Sequence, residues 1–97
     1  MSDIVNKSVH VVITGRVQGV AYRYWTQSEA LRRELTGFVR NRWDGNVEAM
    51  FYGEEKQVES MVSACWNGPP MASVRHIEIK AVDDPAQASS FEILSTV

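Results

Sequence analysis

The chain has 97 residues and a mass of 10.9 kDa, which predicts a single domain over residues 1–97 with no separate lid or cofactor domain. Hydrophobic residues make up 44% of the chain and charged residues 23%, a composition that excludes disorder, a collagen repeat and a coiled coil. Ten Lys and Arg against twelve Asp and Glu give a formal charge of -2, which argues against nucleic-acid binding across a broad basic surface.

The N-terminal stretch and the cysteine content predict the compartment. The opening residues MSDIVNKS contain an acid and no apolar segment, so neither a signal peptide nor a membrane span is expected. The single cysteine, Cys65, cannot form an intramolecular disulfide and offers no pair for a zinc or redox motif. We therefore expect a cytoplasmic protein without a membrane contact or a metal site.

The first predicted elements are a strand, a loop and a helix. A run rich in β-branched residues from Val9 to Thr14 predicts a buried strand, which the loop 15–21 follows. From Tyr22 a periodicity of 3.6 residues predicts a helix that ends at Thr36 and Gly37. The residues that can share its core-facing side are Trp25, Ser28, Leu31 and Leu35.

Two strand-like runs come next and predict a hairpin. They span Gly37–Trp43 and Asn46–Tyr52, and Asp44-Gly45 joins them. This pair of residues tolerates positive φ and suits a tight turn between antiparallel strands. In the second run Val47, Ala49 and Phe51 alternate with polar or larger residues, so one face of the hairpin can enter a core.

The rest of the chain predicts a second helix and two strands. Glu54 and Glu55 favour a helix start, and the helix stops at 67–70, Asn-Gly-Pro-Pro. Val74–Val82 reads as a strand, 83–90 as a polar connection and Phe91–Leu94 as a short closing strand. The predicted apolar stripe of the second helix comprises Val58, Met61, Val62, Cys65 and Trp66.

The element order predicts an α+β protein. The order βαββαβ with a short C-terminal strand is that of the ferredoxin-like split βαβ sandwich, an antiparallel sheet with two helices on one face. The first strand should then be central, and its C-terminal end should deliver the chain into the loop 15–21. The loop ahead of a helix N-terminus is the usual place for a ligand on such a sheet.

The loop sequence GRVQGVAYR, residues 15–23, has the features of an anion site. It contains two glycines and no acid, and Arg23 stands at the start of the helix. Glycines allow backbone amides to converge on an anion, and a guanidinium adds charge and bidentate hydrogen bonds, so phosphate is the expected guest. The spacing matches neither the nucleotide-binding P-loop nor the Rossmann motif. Without Arg23, a strand, a glycine-containing loop and a helix are weak evidence, because such a loop is more often a tight connection whose glycines merely turn the chain.

Three segments together resemble the acylphosphatase family. GRVQGVAYR is similar to the family's signature loop, in which a glycine, arginine, valine, glutamine, glycine, valine run leads to an arginine at the helix start. GFVRNRWDGNVEAMFYG, residues 37–53, resembles the second signature, in which an asparagine ends a strand before an aspartate-glycine hairpin. GPPMASVRHIEI, residues 68–79, resembles the family's entry to its fourth strand.

The resemblance implies hydrolysis of acyl phosphates to a carboxylate and inorganic phosphate, without metal or cofactor. It implies that Arg23 binds the substrate and that Asn41 positions the attacking water. Ala21 and Tyr22 depart from the family pattern, which commonly has glycine or phenylalanine and then phenylalanine, and these departures bear on rate and substrate range. The phosphate cradle that the resemblance implies is Gly15, Arg16, Val17, Gln18, Gly19, Val20, Ala21 and Tyr22.

Residue chemistry is compatible with such a reaction. A carboxylate is a good leaving group at neutral pH, so no general acid is required, and the remaining tasks are to neutralise phosphoryl charge and to aim a water. Four arginines, Arg16, Arg23, Arg40 and Arg42, fall in the two segments that we expect to meet at the loop. The expected partner is a small-molecule acyl phosphate, and the expected oligomeric state is a monomer.

Two non-catalytic functions remain as alternatives. A domain of the same fold could bind RNA across its open sheet face, and Gly37–Val39 faintly resembles part of an RNA-recognition-motif strand, although the acidic charge balance counts against this. An anion sensor could bind phosphate and release it unchanged. We expect structural roles for His10 and His76, because neither has a second ligand or an acid at motif spacing.

Overall fold

The computed structural model describes residues 4–83 and 89–97. Part of the predicted polar connection, 84–88, lies outside these residues. The first half of the chain forms β1 (Asn6–Arg16), α1 (Tyr22–Arg32), β2 (Thr36–Asn41) and β3 (Val47–Glu54). The second half forms α2 (Glu55–Cys65), β4 (Ser73–Ala81) and β5 (Phe91–Ile93).

The strands form one sheet in the order β4-β1-β3-β2-β5. Strand β1 pairs antiparallel with β3 and with β4, and β3 pairs antiparallel with β2, which confirms the ferredoxin-like fold and the hairpin. Strand β5 pairs in parallel with β2, so the sheet as a whole is mixed rather than purely antiparallel. Strands β4 and β5 lie at opposite edges of the sheet.

The core lies between the two helices and one face of the sheet. Alternate residues of each strand point to this face, and the register aligns Val9 with Phe51, Val11 with Ala49, and Ile13 with Val47. All of these side chains are buried, as period-2 alternation requires of a half-covered sheet. The predicted stripe of α2 is confirmed for Val58, Met61 and Cys65, which are buried, whereas Trp66 is exposed beyond the helix end.

The buried face of α1 differs from the prediction. Tyr22, Thr26 and Ala30 are buried at spacings of four residues, whereas Ser28 and Leu31 are exposed. The small Thr26 and Ala30 allow the helix to approach the sheet closely, and the large Tyr22 fills the space at its N-terminal end. Because the helix ends at Arg32, Leu35 is buried in the connection to β2 and not on a helical face.

Neither α1 nor α2 covers the opposite face of the sheet. Here Glu48 accepts one hydrogen bond from Arg40 Nε at 2.8 Å and pairs with His10 Nε2 at 2.6 Å, and the Arg40 guanidinium lies over the ring of Phe38. His10 thus has the structural contact expected of it. Within the described part of the chain, no helix is long and apolar enough to cross a membrane.

Candidate active site

The site begins at the C-terminal end of β1, which is longer than predicted. Gly15 and Arg16 belong to the strand and pair with Val74 and Ser73 of β4, after a break in register that follows Thr14. Gly15 has φ +133°, and a Cβ there would collide with the carbonyl oxygen of Ser73. Only glycine allows this close approach of the two backbones, so Gly15 fixes where the loop leaves the sheet.

The loop proper runs from Val17 to Ala21. Val17 is buried and anchors the loop in the core, whereas Gly19 is exposed with φ +74° and only turns the chain. Among the described residues, no amide from Val17 to Ala21 donates to a backbone carbonyl or to a side chain. A run of N–H groups without acceptors in a turning backbone is a donor set of the kind that can bind an anion.

Gln18 connects the loop to the β2–β3 hairpin. Its Nε2 donates to the carbonyl oxygens of Arg42 and Asn46, each at 2.8 Å. A side-chain amide nitrogen carries two donors, and these two bonds use both of them. Sequence reasoning placed Gln18 in the phosphate cradle; in the structure its side chain serves the hairpin, so only its backbone amide is available to a ligand.

The N-terminus of α1 completes the donor set. Ala21 occupies the N-cap position with φ 65° and ψ 25°, without a side-chain cap, and the first turn holds no acid. The first helical bond runs from the Trp25 amide to the Ala21 carbonyl at 3.0 Å, so the preceding first-turn amides have no intrahelical acceptor. The positive end of the helix dipole points to the same place.

Arg23 lies in this first turn and is partly exposed. Within residues 4–83 and 89–97 neither its guanidinium nor that of Arg16 makes a hydrogen bond or an ion pair. The expectation that four arginines converge at the loop is wrong for Arg40, which lies on the opposite face of the sheet with Glu48. Arg42 is paired with Asp44 at 3.7 Å, which leaves two uncommitted guanidinium groups.

Asn41 ends β2 beside this loop. It pairs with Val47, whose neighbour across the sheet is Ile13 near the end of β1, and the alternation from Val39 places its side chain on the helix-covered face. Its carbonyl accepts from the Val97 amide at 3.1 Å. Among the described residues, the Asn41 side-chain amide has no hydrogen-bond partner, and no side-chain polar atom is both buried and unpaired. The Asn41 amide is therefore accessible to solvent.

Two further side chains near the loop are committed to the core. The Thr26 hydroxyl is buried and donates its hydrogen to the Tyr22 carbonyl at 2.8 Å, one turn back along α1. The Tyr22 side chain is buried and its hydroxyl donates to the Cys65 carbonyl, so only the backbone of Tyr22 is available to the site. Burial raises the pKa of Tyr22 above its ordinary value and that of the Cys65 thiol to about 12.

A comparison with known families matches residues 9–93 to a family described as Acylphosphatase. The chain belongs to the acylphosphatase family. This confirms the resemblance on which the sequence prediction rests, and it identifies the chain as an enzyme that acts on small-molecule acyl phosphates. The enzyme is thereby favoured over both non-catalytic alternatives.

Individual acylphosphatases cover nearly the whole chain. One from Azorhizobium caulinodans is 46% identical over 90 residues, which is 93% of this chain and 97% of that protein. One from Pelotomaculum thermopropionicum is 44% identical over 84 residues, or 87% of this chain and 91% of that protein. The crystal structure of acylphosphatase from Bacillus subtilis gives a TM-score of 0.88 at 38% identity, over 91% of this chain and 98% of that one.

The described residues hold no group of three or more His, Cys, Asp and Glu side chains that could bind a metal ion. The arrangement that they do hold is a set of free amides, two free guanidinium groups and one accessible carboxamide at a single end of the sheet.

Proposed function

We propose that the loop amides from Gly15 to Tyr22 and the Arg23 guanidinium hold the phosphate of an acyl phosphate while Asn41 positions the attacking water, with no metal involved. The observation that carries this proposal is that, among the described residues, the amides from Val17 to Ala21 have no acceptor and the guanidinium of Arg23, two residues later, has no partner. The two bonds of Gln18 to the β2–β3 hairpin support it further, because they tie this loop to the strand that ends with Asn41.

Phosphate binding follows from charge and geometry. Amide hydrogens in a left-handed or turning backbone point inward to a common centre, and phosphate oxygens accept from several of them at once. The Arg23 guanidinium adds fixed positive charge and two parallel donors, and the absence of acid in the first turn of α1 avoids repulsion. The same donors neutralise the charge that the phosphoryl oxygens carry in the bound substrate and in the transition state.

The attacking water needs orientation more than activation. A carboxamide offers an acceptor oxygen and a donor nitrogen, so Asn41 can fix both the position and the direction of one water molecule. The new bond forms from the water oxygen to phosphorus, and the bond from phosphorus to the acyl oxygen breaks with its electron pair leaving on the carboxylate. Neither Arg nor Asn titrates near neutrality, so one water proton passes to a phosphate oxygen of the substrate itself.

Hydrolysis of benzoyl phosphate, followed by its ultraviolet absorbance with a chelator present throughout, tests the proposal. Arg23→Ala should lower kcat/KM by at least ~10² to 10³, the effect of removing one charge-stabilising donor. Arg32→Ala is the matched control, because it removes the same charge from the exposed end of the same helix. Near-wild-type activity of Arg23→Ala, or a requirement for added metal, would contradict the proposal.

A further inference from the structure

Tyr22 joins the start of α1 to the end of α2. Its hydroxyl donates to the backbone carbonyl of Cys65 at 2.5 Å, and its side chain is 1% exposed. Its ring lies against Gly68, where an added Cβ would stand 2.6 Å from Cε2 of the ring. We call these two contacts the Tyr22 anchor. It ties the first residue of α1 to the C-terminal end of a helix on the other half of the sheet.

The residue before the anchor has an unfavourable backbone conformation. Ala21 has φ 65° and ψ 25°, a left-handed geometry that a residue with a Cβ adopts at a cost. Such a residue keeps its conformation only where its surroundings hold it. On its N-terminal side, Val17 is buried and Gln18 is bonded to the hairpin; on its C-terminal side, the next residue is Tyr22 itself.

We propose that the Tyr22 hydroxyl is a positioning group for the phosphate-binding loop, because its bond to Cys65 holds Ala21 in the left-handed geometry. This inference rests on the function proposed above. If the anchor is loosened, Ala21 relaxes toward a more favourable φ, and the amides on either side of it turn away from their common centre. Arg23, the next residue after Tyr22, moves with them.

Loosening the Tyr22 anchor should mainly weaken the binding of substrate and of inorganic phosphate. The loop amides contact a phosphate group that both the substrate and the product inorganic phosphate possess, so their misplacement weakens ground state and transition state alike. The hydroxyl is a donor over the whole neutral range, since burial raises the pKa of Tyr22. The effect should therefore be independent of pH between about 5 and 9.

The test is Tyr22→Phe, which removes the hydroxyl and keeps the ring against Gly68. We expect KM for benzoyl phosphate and the inhibition constant of inorganic phosphate each to rise about threefold to tenfold, the effect of one lost hydrogen bond, with kcat within about twofold. Tyr24→Phe is the control for the chemical change, because Tyr24 lies on the same helix, is 69% exposed and makes no hydrogen bond among the described residues.

A second variant separates positioning from stability. Ala21→Gly in the Tyr22→Phe background should bring KM and the phosphate inhibition constant back toward wild type, because glycine adopts φ 65° without cost and no longer tends to relax. A thermal melt confirms that each variant is folded at the assay temperature. A merely structural role of the hydroxyl would lower the melting temperature and leave both constants unchanged.

Three results would overturn the inference. They are unchanged constants in Tyr22→Phe, an equal rise in Tyr24→Phe, and no recovery in the double variant. Arg23→Ala, assayed in parallel, keeps the two proposals apart. An inactive Arg23→Ala with an unaffected Tyr22→Phe rejects the positioning role alone, whereas an active Arg23→Ala rejects the proposed function.

Discussion

At the scale of single residues, the candidate site consists of groups that have no protein partner among the described residues. Arg40 and Arg42 are close in sequence to Asn41, yet each is neutralised by a carboxylate, from Glu48 and Asp44 respectively. Arg16 and Arg23 have no such partner among the described residues. A net charge of -2 is therefore compatible with an anion site, because the free positive charge is local.

Asn41→Ala should lower kcat about 10²-fold and change KM for benzoyl phosphate little, because an orienting group acts on the attacking water and not on the bound phosphate. Steady-state kinetics with benzoyl phosphate measure both constants. Asn67→Ala is a suitable control, since Asn67 is an exposed asparagine just after α2. A rise in KM with unchanged kcat would make Asn41 a binding residue and contradict its role with the water.

Gln18→Met tests whether the loop needs its link to the hairpin. The substitution keeps the side-chain volume but removes both donors, which leaves the carbonyls of Arg42 and Asn46 without this partner. We expect KM to rise and the free energy of unfolding to fall by about 1–3 kcal/mol, measured by urea titration. Unchanged KM at this loss of stability would show that the link serves the fold alone.

At the scale of elements, the end of α1 has a Schellman motif without its usual glycine. The Leu35 amide donates to the Ala30 carbonyl at 2.9 Å and the Glu34 amide to the Leu31 carbonyl at 3.0 Å, while Glu34 has φ 59°. This left-handed position after a helix is the one that favours glycine most strongly. The helix ends here, at Arg32, and not at Thr36 and Gly37 as the sequence suggested.

Glu34→Gly should stabilise the protein by about 1 kcal/mol, because the left-handed strain disappears while both capping hydrogen bonds remain. In a domain of this size that gain raises Tm by about 4–8 °C, which circular dichroism can follow. Glu34→Ala is the matched control: it also removes the carboxylate but keeps a Cβ, so it should give no comparable gain. Equal gains in Tm for the two variants would show that the gain comes from loss of the Glu34 charge and not from relief of backbone strain.

Local patterns predicted most elements, and tertiary contacts decided the rest. Turn residues predicted the hairpin, and periodicity predicted the buried Val58, Met61 and Cys65 of α2, although Trp66 lies beyond the helix end and is exposed. The buried face of α1 could not be read in the same way, because Tyr22 is drawn inward by a hydrogen bond to Cys65, 43 residues away. The side-chain role of Gln18 was missed for the same reason, since its acceptors lie 24 and 28 residues away in sequence.

At the scale of the whole molecule, the sheet separates two kinds of polar group. The loop, Arg23 and Asn41 lie at one end of the sheet on the helix-covered side, and their donor groups have no partner among the described residues. The open face instead carries Glu48, whose carboxylate is bound by Arg40 and His10 and whose side chain is 12% exposed. This second cluster is satisfied within the protein, so we assign it to stability.

The Glu48 cluster predicts how stability responds to acid. Burial raises the pKa of Glu48, but the hydrogen bonds from Arg40 and His10 outweigh it, so the pKa lies below the ordinary 4.5. A carboxyl with a lowered pKa in the folded state stabilises the fold above its unfolded pKa, and this stabilisation is lost as pH falls through the folded value. Glu48→Gln should thus lower the free energy of unfolding at pH 7 by about 1–3 kcal/mol and by much less near pH 3.

Urea titrations at a series of pH values between about 3 and 7 measure the difference in the free energy of unfolding between wild type and Glu48→Gln. Glu78→Gln is the matched control, because Glu78 lies on β4, is exposed, and aligns with Val12 on the same open face as Glu48. The control should lose little stability at any pH, while activity against benzoyl phosphate stays near wild type in both variants, since the cluster lies across the sheet from the site. If Glu48→Gln lowers the free energy of unfolding by the same amount at pH 3 as at pH 7, packing of the side chain, and not its ionised carboxylate, stabilises the contact between β1, β2 and β3.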